Sequence, residues 1–154
     1  MDVLVVYDSY FGNTEKVAQA ISAAYGPAAQ AVRASDVKPE MLKGIKLLIV
    51  GSPTRAFQPS DGTKRFLKSL APNALTGVRV AAFDTRIAVE DANSKFLKIM
   101  VRLFGYAAKP IGSSLTRRGG SLAEEPEGFI VNGTEGPLKD GELERAAAWA
   151  PSIA

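Results

Sequence analysis

The residues best suited to chemistry in this sequence lie between an apolar run ending at Tyr7 and a helical pattern resuming at Thr14. Ser9, Gly12, Asn13 and Thr14 bring two hydroxyls, an amide and a glycine into one short loop. A helix start leaves backbone N–H groups without partners and carries a partial positive charge, so it is a ready anion site. Gly12 lets the backbone approach closely. Asn13 tolerates unusual dihedrals or caps the helix. Ser9 and Thr14 add hydroxyl donors, and together these residues would cradle one phosphate. A plain helix cap accounts for Asn13 and Thr14, but not for Ser9 and Gly12 as well. The loop fits neither the GxxxxGK pattern of P-loops nor GxGxxG.

Other chemistry is excluded by composition. The chain has no histidine and no cysteine. Disulfides, thiolate metal sites, thiol nucleophiles and a Ser-His-Asp triad are therefore unavailable, and no metal is implied. A chain so poorly equipped for proton transfer would leave its chemistry to a cofactor. Charge is polarised. Residues 1–42 carry three bases and five acids, residues 43–118 fourteen bases and four acids, and residues 119–154 two bases and seven acids. Such a field steers partners by sign. No aromatic-rich platform supports nucleic acid as a partner.

The elements that must position the loop follow from periodicity. Residues 2–7 and 45–50 read as buried parallel strands, the second closed by Gly51, and 78–83 as a third; 29–33 read as an edge strand. Residues 14–25, 61–70, 94–104 and 139–150 have helical patterns, and Pro39 to Lys43 a short helical one. Residues 108–112 and 129–131 are expected as two pieces of a last strand. The alternation predicts a doubly wound α/β domain spanning 1–154, with 113–127 as an insertion-like loop splitting the last strand. Ligands of such sheets bind beyond the carboxyl ends of the strands, here the loops at 8–14, 51–60 and 84–93. With 154 residues and 46% hydrophobic content, one domain is expected. No apolar run reaches a membrane span, and no leader precedes the first strand, so a cytoplasmic protein without membrane attachment is expected. Asn132-Gly133-Thr134 reads as a turn.

VVYDSYFGNTEKVAQAI (residues 5–21) resembles the phosphate-binding signature of flavodoxins, with Val5, Val6, Tyr7, Ser9, Gly12, Thr14, Ala18 and Ile21 filling its slots. GSPTRAFQPS (51–60) is similar to that family's loop after the third strand, and FDTR (83–86) to the start of its loop after the fourth. The resemblance implies a flavodoxin-like three-layer sandwich: a five-stranded parallel sheet in order 2-1-3-4-5 with helices on both faces. It also implies FMN as cofactor. Ser9, Tyr10, Phe11, Gly12, Asn13 and Thr14 would surround the phosphate, largely through backbone N–H groups. Pro53, Thr54, Arg55, Ala56 and Phe57, with Asp84, Thr85 and Arg86, would flank the ring. The function implied is single-electron transfer between protein redox partners, by a monomer, without catalytic side chains. Two alternatives stand beside it. One is an FMN-dependent NAD(P)H:quinone oxidoreductase, since GSPTR also resembles the corresponding loop of that group. The other is a partner-binding module that has lost the flavin.

The sequence departs from the family at several places. The family usually stacks the flavin between a Trp and a Tyr; here Phe57 stands in one loop and no aromatic in the other. Phe83 is expected in the core, and Trp149 in packing or an interface. Asp8 adjoins the phosphate loop and is expected to point away or cap a turn. The loop at 54–58 has no glycine, so a residue forced to positive φ there would cost roughly 1–2 kcal/mol. Arg55 and Arg86 stand where the family is acidic. One such charge ~8 Å from a reduced flavin would favour its anion by about 2 kcal/mol before screening. Lys64, Arg65 and Lys68, and Lys95, Lys98 and Arg102, make basic helix faces, read either as solvated surface or as docking sites for an acidic redox partner. Arg117-Arg118-Gly119-Gly120 is expected as a flexible basic loop.

Overall fold

The computed structural model describes residues 1–88, 95, 98, 99 and 105–153. The helix expected at 94–104, with Arg102, falls largely outside them. The described elements are β1 (Val3–Tyr7), α1 (Asn13–Tyr25), β2 (Ala29–Arg33), β3 (Leu47–Pro53), α2 (Asp61–Ser69), β4 (Arg79–Arg86), α3 (Ala108–Arg117), β5 (Ser121–Leu122), β6 (Glu127–Ile130) and α4 (Glu142–Ser152). All pairings between these strands are parallel, in the order β2-β1-β3-β4, with β5 and β6 both on the outer side of β4. This is the expected order, with the last strand in two pieces.

Alternation along each strand sends residues to opposite faces. Val3, Val5 and Tyr7 face α1 and α4, joining Val17, Ile21, Phe129 and Trp149 in one core. Leu4, Val6, Leu48 and Val50 face α2 and α3, joining Phe66, Leu67, Ile111 and Leu115 in the other. Trp149 packs edge-on against Phe83 and Phe129, at centroid distances of 6.3 and 6.0 Å. Both Phe83 and Trp149 are thus core residues, as expected.

Three sequence readings need correcting. Gly51 does not close β3, which runs on to Pro53. It lies inside the strand because the Phe83 ring occupies its side-chain space: a Cβ there would lie 2.0 Å from Phe83 Cζ. Residues 108–112 are not a strand but the start of α3. Ala108, Ile111 and Leu115 are buried along one side of it, and the buried Asp84 accepts the Ala108 N–H at 2.8 Å. Pro110 sits in the first turn, where its missing N–H is not needed. Residues 113–117 continue this helix, so only residues 123–126 separate the two strand pieces.

The register aligns the carboxyl ends that matter. Tyr7 lies beside Gly51, Gly51 beside Phe83, and Pro53 beside Thr85. The loops after β1 and β3 and the end of β4 therefore open at one edge of the sheet. Asp84, Thr85 and Arg86 belong to β4 itself rather than to the loop beyond it.

Candidate functional site

The loop after β1 is held by its own polar groups. The Gly12 N–H donates to Ser9 Oγ at 3.0 Å. Gly12 takes φ +91°, which only glycine adopts readily, and no other group crowds its outer face. α1 then starts with no side-chain cap. α2 is the contrast: Ser60 Oγ accepts the Thr63 N–H at 3.3 Å. The first-turn amides of α1 thus meet no side-chain cap, while those of α2 are partly satisfied within the chain.

Of the two acids beside the loop, Asp8 stays engaged with it, its Oδ1 accepting the Ser9 N–H at 3.0 Å. Asp8 Oδ2 accepts Ser60 Oγ–H at 2.6 Å. Its carboxylate lies so close over Gly62 that a Cβ there would be 2.6 Å from Oδ2. Asp8 Oδ1 accepts from Arg33 Nη1 at 3.4 Å. Glu15 accepts the Tyr7 hydroxyl at 2.8 Å and lies 4.0 Å from Arg33 Nη2. Burial, together with that bond to Glu15, raises the Tyr7 pKa. Arg33, on edge strand β2, thus faces both carboxylates and offsets part of their charge, and its Nη1 also donates to the Ser9 carbonyl at 3.1 Å. It was not singled out in the sequence, because β2 is short and weakly patterned and its register on β1 decides where Arg33 lands.

Asn13 and Thr14 anchor the loop to the rest of the sheet edge. Asn13 Nδ2 donates to the Glu135 carbonyl at 3.0 Å, in the connection between β6 and α4. Thr14 Oγ1 and Thr85 Oγ1 share a buried hydrogen bond of 2.8 Å. Thr54 N–H donates to the Thr85 carbonyl, and Thr54 Oγ1 accepts the Ala107 N–H at 3.2 Å.

Residues 55–58 form a tight hairpin, Arg55 and Gln58 exchanging N–H···O bonds of 2.8 and 2.9 Å. Ala56 and Phe57 at its tip take φ +48° and +67°. That is the primed turn that normally calls for Asn-Gly. The strain expected for this glycine-free loop is therefore present in this conformation. Arg55 lies over the Tyr10 ring at 4.6 Å, bridging the hairpin to the first loop.

These loops surround a cavity of about 240 Å³. It is lined by Ser9, Tyr10, Phe11, Asn13 and Thr14 from the first loop, Pro53, Thr54, Arg55 and Ala56 from the second, and Thr85 and Arg86 from β4. Three sequence candidates lie outside the lining. Gly12 shapes the loop behind it, Phe57 sits at the hairpin tip, and Asp84 is fully buried beneath Arg86. Three lining residues were missed: Ile87, Val131 and Thr134. The last two sit past the end of β6, so strand topology, rather than any motif, is the signal that locates them.

Arg86 and Asp84 form an ion pair, with Nε and Nη2 donating at 2.6 and 2.7 Å, and Arg86 stacks 3.8 Å from the Tyr106 ring centre. Burial raises the Asp84 pKa, and Arg86 pulls it back. A larger hollow, about 1100 Å³, lies on the far side of Asp8, between α2 and the short turns before β3. The uncapped helix and the converging strand ends face the smaller cavity, and that is the candidate site.

No protein-family model and no curated protein matches this sequence. Among solved structures, a flavodoxin from the domain Archaea is 24% identical with a TM-score of 0.77, over 100% of this chain and 96% of that one. Flavodoxin 2 from Bacillus cereus is 21% identical at TM-score 0.78, covering 99% and 97%. A flavodoxin from Megasphaera elsdenii, in its two-electron reduced form, is 22% identical at 0.67, covering 98% of each chain. At these identities the likeness is one of fold: the chain has the flavodoxin-like fold.

Proposed function

We propose that this chain binds FMN at the cavity beyond β1, β3 and β4 and carries single electrons between protein partners. The observation that carries the reading is the uncapped start of α1 behind Gly12, beside that cavity, with Arg33 set against both neighbouring acids. A phosphate dianion suits such a donor set of backbone N–H groups and the hydroxyls of Ser9 and Thr14. The cavity is below the ~300–1,000 Å³ of sites that enclose a ligand whole. A flavin held there keeps an edge toward solvent, as a carrier needs.

Bound FMN would supply the one-electron chemistry. The chain's part is to bind and orient it. Ser9, Gly12, Asn13 and Thr14 hold the phosphate end, and the 55–58 hairpin and Arg86 bound the ring end. Arg55 and the basic faces of the neighbouring helices favour partners with acidic docking surfaces. The carrier acts as a monomer, with residues 1–154 as one domain.

The test is to load purified protein with FMN, reduce it, and offer either a ferric cytochrome or NADH with a quinone. Stoichiometric reduction of the cytochrome, without quinone-dependent NADH oxidation, is the expected outcome. Sustained NADH oxidation would instead make the chain a quinone oxidoreductase.

A further inference from the structure

We propose that the groove between α2 and α3 is a docking surface for an acidic segment of a partner protein. The groove has a volume of about 410 Å³, and four cations line it: Lys64 and Lys68 from α2, Arg117 at the end of α3, and Arg118 just after it. No carboxylate is among its lining residues, and none of the four cations makes an ion pair among the described residues. Arg33, Arg86 and Arg145, by contrast, each meet a carboxylate within the chain.

The groove is built rather than incidental. Arg118 is fixed across it, with Nε donating to the Leu70 carbonyl at 3.3 Å and Nη1 to Ser114 Oγ at 2.9 Å. Lys64 is held by the Gln58 side chain. Lys64 and Lys68 are four residues apart on a helix and so share one face. Along α3, Pro110 to Arg117 spans roughly 10 Å at ~1.5 Å per residue. An extended segment of about three residues matches that length.

The remaining lining decides the class of partner. Leu67 and Pro110 give the groove an aliphatic floor. No aromatic ring lines it to stack a base, which disfavours nucleic acid. Carboxylates interspersed with aliphatic side chains satisfy both features.

The place of the groove gives docking a purpose. Gln58 and Pro59 form its near end. They continue from the hairpin whose other flank, Arg55 and Ala56, lines the candidate FMN cavity. A partner seated here is brought against the hairpin at the cavity mouth. The purpose rests on the electron-carrier reading; the binding does not.

The experiment is a titration of ¹⁵N-labelled protein, without flavin, with the peptide acetyl-Glu-Glu-Leu-Glu-Glu-amide, followed by amide shifts. The shifts are expected at residues 58–69 and 110–119, and they should shrink as salt rises from about 50 to about 500 mM. Lys68→Glu with Arg117→Glu should weaken binding at least about tenfold. Lys43→Glu, away from the groove, should leave it unchanged. The same spectra report whether each variant is folded, and Lys68→Ala with Arg117→Ala is the milder pair. Shifts elsewhere, or binding indifferent to both pairs, would overturn the proposal. So would a short oligothymidylate that binds these amides more tightly than the peptide. FMN titrated into the same samples tests the carrier reading separately.

Discussion

Asp84 holds Arg86 by two hydrogen bonds, at 2.6 and 2.7 Å, from a position with no solvent exposure. Arg55 has no such partner: it lies over Tyr10 and makes no ion pair among the described residues. The two arginines of the site, equivalent in the sequence, are thus unequal in the structure. Arg86 presents a nearly neutral pair and Arg55 a full charge. A cation favours the more negative, reduced flavin, so removing it lowers the reduction potential. Arg55→Gln is expected to lower the midpoint of bound FMN by tens of millivolts, on the order of 1 kcal/mol after screening. Arg86→Gln leaves the buried Asp84 without its cation, which favours the protonated carboxyl, so the midpoint should shift less than in Arg55→Gln. Spectroelectrochemical titration of the two variants measures both shifts.

The hairpin tip stores strain that sequence design can remove. Ala56 and Phe57 both lie at positive φ in a turn that suits Asn-Gly. Replacing them by Asn and Gly should stabilise the protein by about 1–2 kcal/mol, or roughly 2–4 °C in Tm for each kcal/mol. Thermal unfolding of the double variant beside the parent checks this. An unchanged or lowered Tm would mean that contacts of the Phe57 side chain outweigh the backbone strain.

Arg33 is expected to matter to anion binding without touching the anion. Its guanidinium faces Asp8 and Glu15, the two carboxylates flanking the first loop. Arg33→Gln leaves both uncompensated near the α1 start. The side chain is about one-third exposed, so solvent screens part of the effect. A loss of about 1 kcal/mol, near fivefold in FMN affinity, is the expected size. Fluorescence titration of FMN measures it. Affinity that falls less at high salt would mark the effect as electrostatic.

Acid stability should depend on Glu142. Its carboxylate accepts from Arg145 and from the Ile130 N–H, and the Arg145 bond foremost holds its pKa below the usual range. A depressed pKa stabilises the fold above the unfolded value, near 4.3, and the gain is lost as pH falls through the folded value. Asp84 has the opposite sign. Burial raises its pKa, so its contribution is full below the unfolded value and declines as pH rises through the folded one. Urea midpoints compared at pH 7 and about pH 3 should fall less in Glu142→Gln than in the parent.

The strands and most helices were legible because their patterns are local. The unbroken apolar run of residues 3–7 reflects burial on both faces of the sheet, and the helical face of Val17, Ala18 and Ile21 reflects burial against one of them. α3 was not legible at its start. Ala108, Pro110 and Gly112 carry little periodicity, and what starts that helix is a carboxylate from a strand 24 residues earlier. The first loop announced itself through Ser9, Gly12 and Thr14. The pairing of Arg33 with Asp8, and of Asp84 with Arg86, was not visible, because each depends on where register and side-chain direction place two chains of atoms. Thr134 was missed for the same reason: its loop meets the site only once β6 is laid on β4.

The most direct test of the central claim is a comparison of FMN with riboflavin by quenching of flavin fluorescence on the purified apoprotein. The uncapped α1 start should make the phosphate decisive. FMN is expected to bind one to one, and riboflavin at least about tenfold more weakly, with Gly12→Ala reducing the difference. Equal affinities for the two, or no binding of either, would contradict the assignment of this loop as a flavin phosphate site.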